Sequence, residues 1–288
     1  MAFQTLINGV TQTSWPVADR GLAYGDGVFE TFRVIEGRVG LFNRHWQRLK
    51  YSLQRLDIPV PLSEEQLIRA IADVVDGGDG VAKLMVTRGS GGRGYRCPDN
   101  PDSQWSLQGF PLPEIESEHY ASGVSVRSCR LQLAEQPALA GMKHLNRLEQ
   151  VMARQEWQNE YFEGLMFSRS GYLVEATMAN IFLVHKDRLL TPRLNLCGVK
   201  GVMRDAILEQ GPAISGALAM PCETPVLSAS DLLQADSAFI CNSVRGIIPL
   251  SHWYDEQGGL IQSWDSAEHS VVKALIGAFH PAMKLPIV

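Results

Sequence analysis

The segment Arg88-Gly89-Ser90-Gly91-Gly92-Arg93-Gly94-Tyr95 gathers residue types that bind anions. Glycine-rich backbone brings N–H groups close to a phosphate. A guanidinium grips a carboxylate at two points. No Gly-Lys-Ser/Thr follows, so this is not a Walker loop. A proline-containing loop follows where a dinucleotide-binding helix would have to begin, which argues against that fingerprint too. A solvated surface loop carrying arginines is the alternative left open by composition.

Five further positions carry possible chemistry. Lys143 is one of seven lysines against nineteen arginines. A lysine amine attacks an aldehyde when its surroundings keep it partly deprotonated, although a lysine at a helix start is more often a solvated surface residue. Glu175, at a strand end before Ala176 and Thr177, could keep a cofactor's ring nitrogen protonated or could be an ordinary surface carboxylate. Arg48 is either a phosphate ligand or a solvated helix residue. Thr31 is a hydroxyl within a strand, where β propensity alone explains a threonine. His144 is a lone histidine and so a weak candidate for a general base.

The pattern around these residues predicts the elements that hold them. Phe3 to Val10 reads as a strand ending in an Asn8-Gly9 turn. Val28 to Ile35 reads as a strand, followed by a Glu36-Gly37-Arg38 turn and a short strand over Val39 to Phe42. Asn43 suits the cap of a helix whose apolar positions are Trp46, Leu49, Leu53 and Leu56, broken at Pro59. Ser63-Glu64-Glu65-Gln66 reads as a capping box for a helix ending near Gly77-Gly78. Val81 to Thr87 is a buried strand, and Arg88 to Asp102 a loop. Beyond it, Val124 to Val126 is strand-like. His144 to Glu160 reads as a helix opened by Lys143, with Leu145, Leu148, Val151 and Met152 on one face. Strands follow at 164–167, 172–175, 180–184, 188–191 and 238–242. Helices follow at 202–210 and 266–279, with a short one capped by Ser228.

The mixture indicates an α/β (α+β) fold in two parts. These are a small N-terminal domain over residues 1–110, a linker at 111–121 around Pro111-Leu112-Pro113, and a larger domain over 122–288 that carries Lys143. The 288 residues are 45% hydrophobic and 20% charged, with a net charge of -5 from scattered groups. Nothing in that balance suggests a nucleic-acid or anionic-lipid surface, and no stretch approaches the roughly 20 apolar residues of a membrane span. Met1 to Thr5 lacks the basic and apolar regions of a signal peptide, so a cytoplasmic setting is expected. Cys97, Cys129, Cys197, Cys222 and Cys241 are odd in number and form no C-x-x-C pair, which reads as reduced thiols. The seven histidines show no metal-binding spacing, so no metal is expected.

Taken in order, a longer set of motifs resembles the fold-type IV pyridoxal-phosphate enzymes. That group holds branched-chain aminotransferases, D-amino-acid aminotransferases and aminodeoxychorismate lyases. The matching stretches are Asp19 to Thr31, His45 to Leu49, Lys143 to Glu149, Glu175 to Phe182, Thr191-Pro192, Gly198 to Arg204 and Cys241-Asn242-Ser243. Within the group, Arg88 to Tyr95, Gly141 to Gln150 and the threonine at position 31 are similar to the lyases.

The resemblance implies a two-domain fold with a mixed, β-barrel-like larger domain, and pyridoxal 5'-phosphate as cofactor. It also implies a homodimer acting on a small-molecule substrate, aminodeoxychorismate, to give 4-aminobenzoate and pyruvate. Lys143 would bond covalently to the cofactor's aldehyde and then remove the proton that starts elimination. Glu175 would pair with the ring nitrogen. Arg48, the backbone N–H groups of Val202 and Met203, and the Ser243 hydroxyl would bind the phosphate. Thr31 would protonate the departing enol, with a relay from Lys143 or water because a lone hydroxyl is a poor acid. Arg88, Arg93 and Tyr95 would bind the substrate's carboxylates. An aminotransferase acting on D-amino or branched-chain amino acids shares the first deprotonation and differs in what the electrons do next. Thr31 and the Gly-Arg loop favour elimination.

Overall fold

The structure is a computed structural model, described here for residues 3–214 and 220–287. The first two residues of the N-terminal stretch 1–5 therefore lie outside the described residues. The chain divides into two compact units. The first holds Met1–Pro113 together with Met142–Asn146, and the second holds Glu114–Gly141 and Arg147–Val288.

In the first unit the elements are β1 (Thr5–Ile7), β2 (Val10–Thr11), α1 (Arg20–Tyr24), β3 (Gly27–Ile35), β4 (Arg38–Val39), α2 (Phe42–Arg55), α3 (Glu64–Val74), β5 (Gly80–Thr87) and β6 (Gln104–Phe110). The six strands form one antiparallel sheet in the order β2-β1-β6-β5-β3-β4. Strand alternation sends Phe32 and Val34 to one face. There they pack with Leu49 and Leu53 of α2 and Leu67, Ile71 and Val74 of α3.

Two local expectations change. The chain enters α2 through Leu41 in the left-handed region (φ 59°), with no side-chain cap, so Asn43 lies inside the first turn instead of capping it. The short strand expected over 39–42 is displaced by that helix start. Ser63 does cap α3: its hydroxyl accepts from Gln66 N, and the Gln66 side chain accepts from Ser63 N.

The second unit contains α4 (Ser117–Ala121), β7 (Val124–Leu133), α5 (Leu148–Arg154), β8 (Glu163–Ser168), β9 (Tyr172–Ala176), β10 (Asn180–His185), β11 (Arg188–Leu190), α6 (Val202–Ile214), β12 (Cys222–Glu223), β13 (Leu227–Ser228), α7 (Ala229–Leu233), β14 (Ser237–Asn242), β15 (Gly246–Tyr254), β16 (Leu260–Ser263), α8 (Ser270–Phe279) and a closing 3-10 turn at Pro281–Met283. Its strands run β12-β11-β10-β14-β15-β7-β8-β9-β13, with β16 on β15. The sheet is mixed: β7 is parallel to both β8 and β15. Its core is built from Val126, Leu165, Ile181, Leu183, Ala238, Ile240, Ile248 and Leu250.

The stretch expected to be a linker contains α4, whose Tyr120 is buried and donates its hydroxyl to Arg245 O at 2.8 Å. The long helix expected from residue 144 is shorter, because α5 begins only at Leu148. The apolar face read for it is outward: Leu148 is 75% exposed, whereas Ala153 is buried. Residues Met142–Asn146 are spent on pairing within the first unit, so Lys143 belongs to that unit and not to the larger domain. No helix among the described residues is long and apolar enough to cross a membrane.

Ser63→Ala should cost the protein about 1 kcal/mol in urea unfolding, the usual value of a lost cap. An unchanged midpoint would show that the capping box adds nothing.

Candidate active site

Backbone pairing fixes Lys143. Phe29 N donates to Lys143 O at 2.9 Å and Leu145 N to Gly27 O at 3.0 Å, while Val28 and His144 form a bridge. The segment therefore lies as an added strand against β3. Close approach is possible because Gly25, at φ +67°, has no side chain; a Cβ there would run into the Asn146 amide. Asn146 Nδ2 in turn donates to Gly25 O at 3.0 Å.

Phe29 and Thr31 share one face of β3 by alternation. The Lys143 ammonium sits 4.2 Å from the centre of the Phe29 ring. The structure thus brings Lys143 to the strand face that carries Thr31.

The opposite face carries Glu30, which is 1% exposed. His45 and Arg48, three residues apart on α2, both reach it. Glu30 Oε2 meets His45 Nδ1 at 2.7 Å. Arg48 donates through Nε to Oε1 at 2.8 Å and through Nη2 to Oε2 at 2.6 Å. Two parallel bonds lock the guanidinium plane, so Arg48 is held before any anion arrives. Burial alone would raise the Glu30 carboxyl, but the Arg48 charge and the hydrogen bonds from Arg48 and His45 outweigh it and hold the pKa down at about 2. Burial lowers the His45 pKa. His45 Nε2 is buried with no hydrogen-bond partner among the described residues.

Arg88 departs from its expected role. Its guanidinium donates to both Asp26 oxygens, at 2.8 and 3.1 Å, and to the carbonyls of Asp57 at 2.7 Å and Leu56 at 2.6 Å. It is buried and committed to the fold, which removes it as a carboxylate ligand. The physical cause is Asp26, a carboxylate that neither composition nor spacing singled out. Arg93 and Tyr95 lie exposed on the loop.

In the second unit Glu175 is buried, and its Oε2 accepts from Val199 N at 2.8 Å. Asn180 bridges the same turn: its Nδ2 donates to Val199 O at 2.8 Å and its Oδ1 accepts from Gly201 N at 3.0 Å. A side chain at position 201 would collide with the Asn180 amide, so glycine is required there. The first bond of α6 runs from Asp205 N to Gly201 O at 2.9 Å. The N–H groups of Val202, Met203 and Arg204 precede it and have no acceptor inside the helix, which is the arrangement that attracts an anion.

Arg204 ties that helix start down, donating to Thr191 Oγ1 at 3.3 Å and Pro192 O at 3.0 Å. Ser243 lies on a turn organised by Asn242, whose Oδ1 accepts from Val244 N at 2.9 Å and Arg245 N at 2.8 Å. A buried carboxylate missed by the sequence reading, Glu163, accepts from Thr177 Oγ1 and from Met178 N at 3.1 Å. Burial pushes its pKa up, against those hydrogen bonds. Arg147, also not singled out, lies within electrostatic reach of Glu175, and its own pKa is lowered by burial.

Residues 27–253 match the Amino-transferase class IV family model, and the chain belongs to that family. It is 34% identical over 248 residues to an aminodeoxychorismate lyase of Vibrio harveyi, covering 85% of this chain and 89% of that one. It is similar to the crystal structure of 4-amino-4-deoxychorismate lyase from Pseudomonas aeruginosa, with TM-score 0.87 and 39% identity, covering 96% and 98% of the two chains. The branched-chain amino acid aminotransferase of Escherichia coli shares the fold at TM-score 0.82 and 23% identity, with 98% and 95% covered.

The shifts of Glu30 and His45 predict a pH dependence. A carboxyl held below its unfolded value stabilises the fold above that value and loses the contribution as pH falls through the folded one. A histidine with a depressed pKa stabilises above its unfolded value and loses the contribution below it. Stability in urea should therefore fall on acidification from about pH 6.5, and further below about pH 4.5. Glu30→Gln should cost about 3 kcal/mol at pH 7 by taking from the Arg48 guanidinium its carboxylate partner, and should flatten the decline below pH 4.5. An equal slope in wild type and variant would remove Glu30 as the cause.

Proposed function

We propose that the protein is a pyridoxal-phosphate lyase that converts 4-amino-4-deoxychorismate to 4-aminobenzoate, a folate precursor, and pyruvate. The observation that carries this reading is the 39% identity to the Pseudomonas aeruginosa lyase over nearly the whole chain. The relative from Vibrio harveyi supports the same branch of the family. The homodimer and cytoplasmic setting expected from the sequence go with this reading.

The donor set fits the cofactor. An aldehyde calls for a held amine, as at Lys143, whose carbonyl accepts from Phe29 N while Leu145 N donates to Gly27 O. A pyridinium nitrogen calls for a buried carboxylate, as at Glu175. A phosphate dianion calls for a fixed guanidinium and open N–H groups, as at Arg48 and at the Val202–Met203 helix start, with the Ser243 hydroxyl as a further donor.

When bound, the cofactor supplies an electron sink next to the substrate carbon that bears the amino group. The Lys143 amine takes the proton from that carbon. The neighbouring C–O bond breaks, the enolpyruvyl group leaves with the bonding pair, and the ring becomes aromatic. Glu175 holds the proton on the ring nitrogen throughout. Thr31, on the strand face that Lys143 approaches, would pass a proton to the departing enol, replenished from Lys143 or water. Arg93 and Tyr95 are the loop's candidates for the substrate carboxylates. Atoms balance without any co-substrate, which separates this reaction from transamination.

Purified protein incubated with aminodeoxychorismate should release 4-aminobenzoate and pyruvate in equal amounts, with no amino acceptor added. Lys143→Ala should lower that rate by at least about 1,000-fold. Absence of 4-aminobenzoate, with turnover of a D-amino or branched-chain amino acid and 2-oxoglutarate, would assign the protein to the aminotransferases instead.

A further inference from the structure

The Gly-Arg loop is not free. One buried side chain, Arg20, holds most of it. Arg20 is 4% exposed and stands at the start of α1. Its Nη1 donates to Gly94 O at 3.2 Å and to Arg96 O at 3.3 Å, and its Nη2 donates to Tyr95 O at 3.2 Å. Three successive carbonyls therefore converge on one guanidinium. Nε donates to Asp26 Oδ2 at 2.8 Å, the same oxygen that Arg88 Nε reaches at 2.8 Å. Asp26 thus joins the base of the loop, at Arg88, to the clasp on its far side, at Arg20.

The rest of the loop is zipped to the same segment. Arg20 N donates to Gly89 O at 2.9 Å, and Asp19 pairs with Ser90. Gly94 N donates to the Tyr24 hydroxyl at 3.3 Å, and the rings of Tyr24 and Tyr95 lie 5.5 Å apart. Arg20 packs over the Tyr24 ring at 5.0 Å.

We infer that Arg20 is the positioning residue of the 88–96 loop, and that it sets substrate affinity by holding Arg93 and Tyr95 in the conformation that meets the substrate's carboxylates. This deepens the lyase reading and rests on it. A planar guanidinium is needed because it presents five N–H groups in a fixed fork. A lysine keeps the charge opposite Asp26 but presents a single nitrogen to carbonyls that lie on different sides of it. Ordering the loop in advance removes an entropy cost that substrate binding would otherwise bear. The chemical step at Lys143 does not draw on the loop, so the effect belongs in KM.

The test uses the holoenzyme with its visible cofactor absorbance as the check on folding. Two variants perturb the clasp from opposite sides. Arg20→Lys removes the fork. Gly91→Ala adds a Cβ that would lie 2.8 Å from Arg20 Cδ, crowding the clasp while keeping the guanidinium. Both should raise KM for aminodeoxychorismate by about tenfold and leave kcat within about threefold. Both should also speed amide hydrogen exchange across residues 88–96 while leaving α3 unchanged.

Faster exchange with an unchanged KM would overturn the inference, because the loop would then be held for a reason other than substrate. Unchanged exchange would overturn it at the clasp itself. A wild-type protein that yields no 4-aminobenzoate would instead defeat the lyase reading, and the exchange comparison would still decide whether Arg20 holds the loop.

Discussion

The pairing of residues 143–145 with β3 is the constraint on which the proposed chemistry depends. Two backbone hydrogen bonds, at 2.9 and 3.0 Å, set where the Lys143 backbone can be. The Phe29 ring beneath the amine then limits where the side chain can go. A flexible four-carbon stem is a poor way to place a nucleophile unless its root is fixed. Here the root is fixed by pairing with β3, a strand that is itself paired along eight residues to β5. A site built on such a strand keeps its geometry better than one built on a loop.

Around that strand, charge is handled by pairing groups before any ligand is present. Glu30 orients Arg48, Asp26 orients Arg20 and Arg88, and Asn180 orients the turn that joins Glu175 to α6. Each holds a residue that has, or supports, a proposed role in binding. Buried ion pairs are weak sources of net stability but strong determinants of geometry when every donor is satisfied. The Asp26 carboxyl shows the balance directly: burial would raise its pKa, yet the hydrogen bonds from Arg88 and Arg20 keep it below the usual carboxylate range.

Much of this was legible in the residues, and the misses have physical causes. Alternation and turn chemistry located β3 and β5, and the Ser63 capping box located α3, because those signals are local. The helix expected from residue 144 failed because tertiary pairing overrode propensity: His144 and Leu145 carry good helical spacing but are used by β3. The Gly-Arg loop was recognised as an anion-binding composition, yet composition could not separate Arg88, neutralised by a carboxylate 62 residues away, from Arg93, left exposed. Arg20, Asp26 and Asn180 lie inside the stretches 19–31 and 175–182, where the residue types alone give them no role. Their work is to hold other residues, and that shows only when distant segments are brought together. Function is legible in the order of motifs along the chain, since Lys143, Arg48 and Glu175 are each unremarkable alone.

The central claim is that Lys143 is the residue that bonds to the cofactor. Borohydride reduction of the holoenzyme, followed by proteolysis and mass spectrometry, tests it directly. The account predicts loss of the visible cofactor band and a single phosphopyridoxyl label on Lys143. A label on Lys83, whose ammonium also lies over the Phe29 ring at 5.6 Å, or on Lys200 would contradict it.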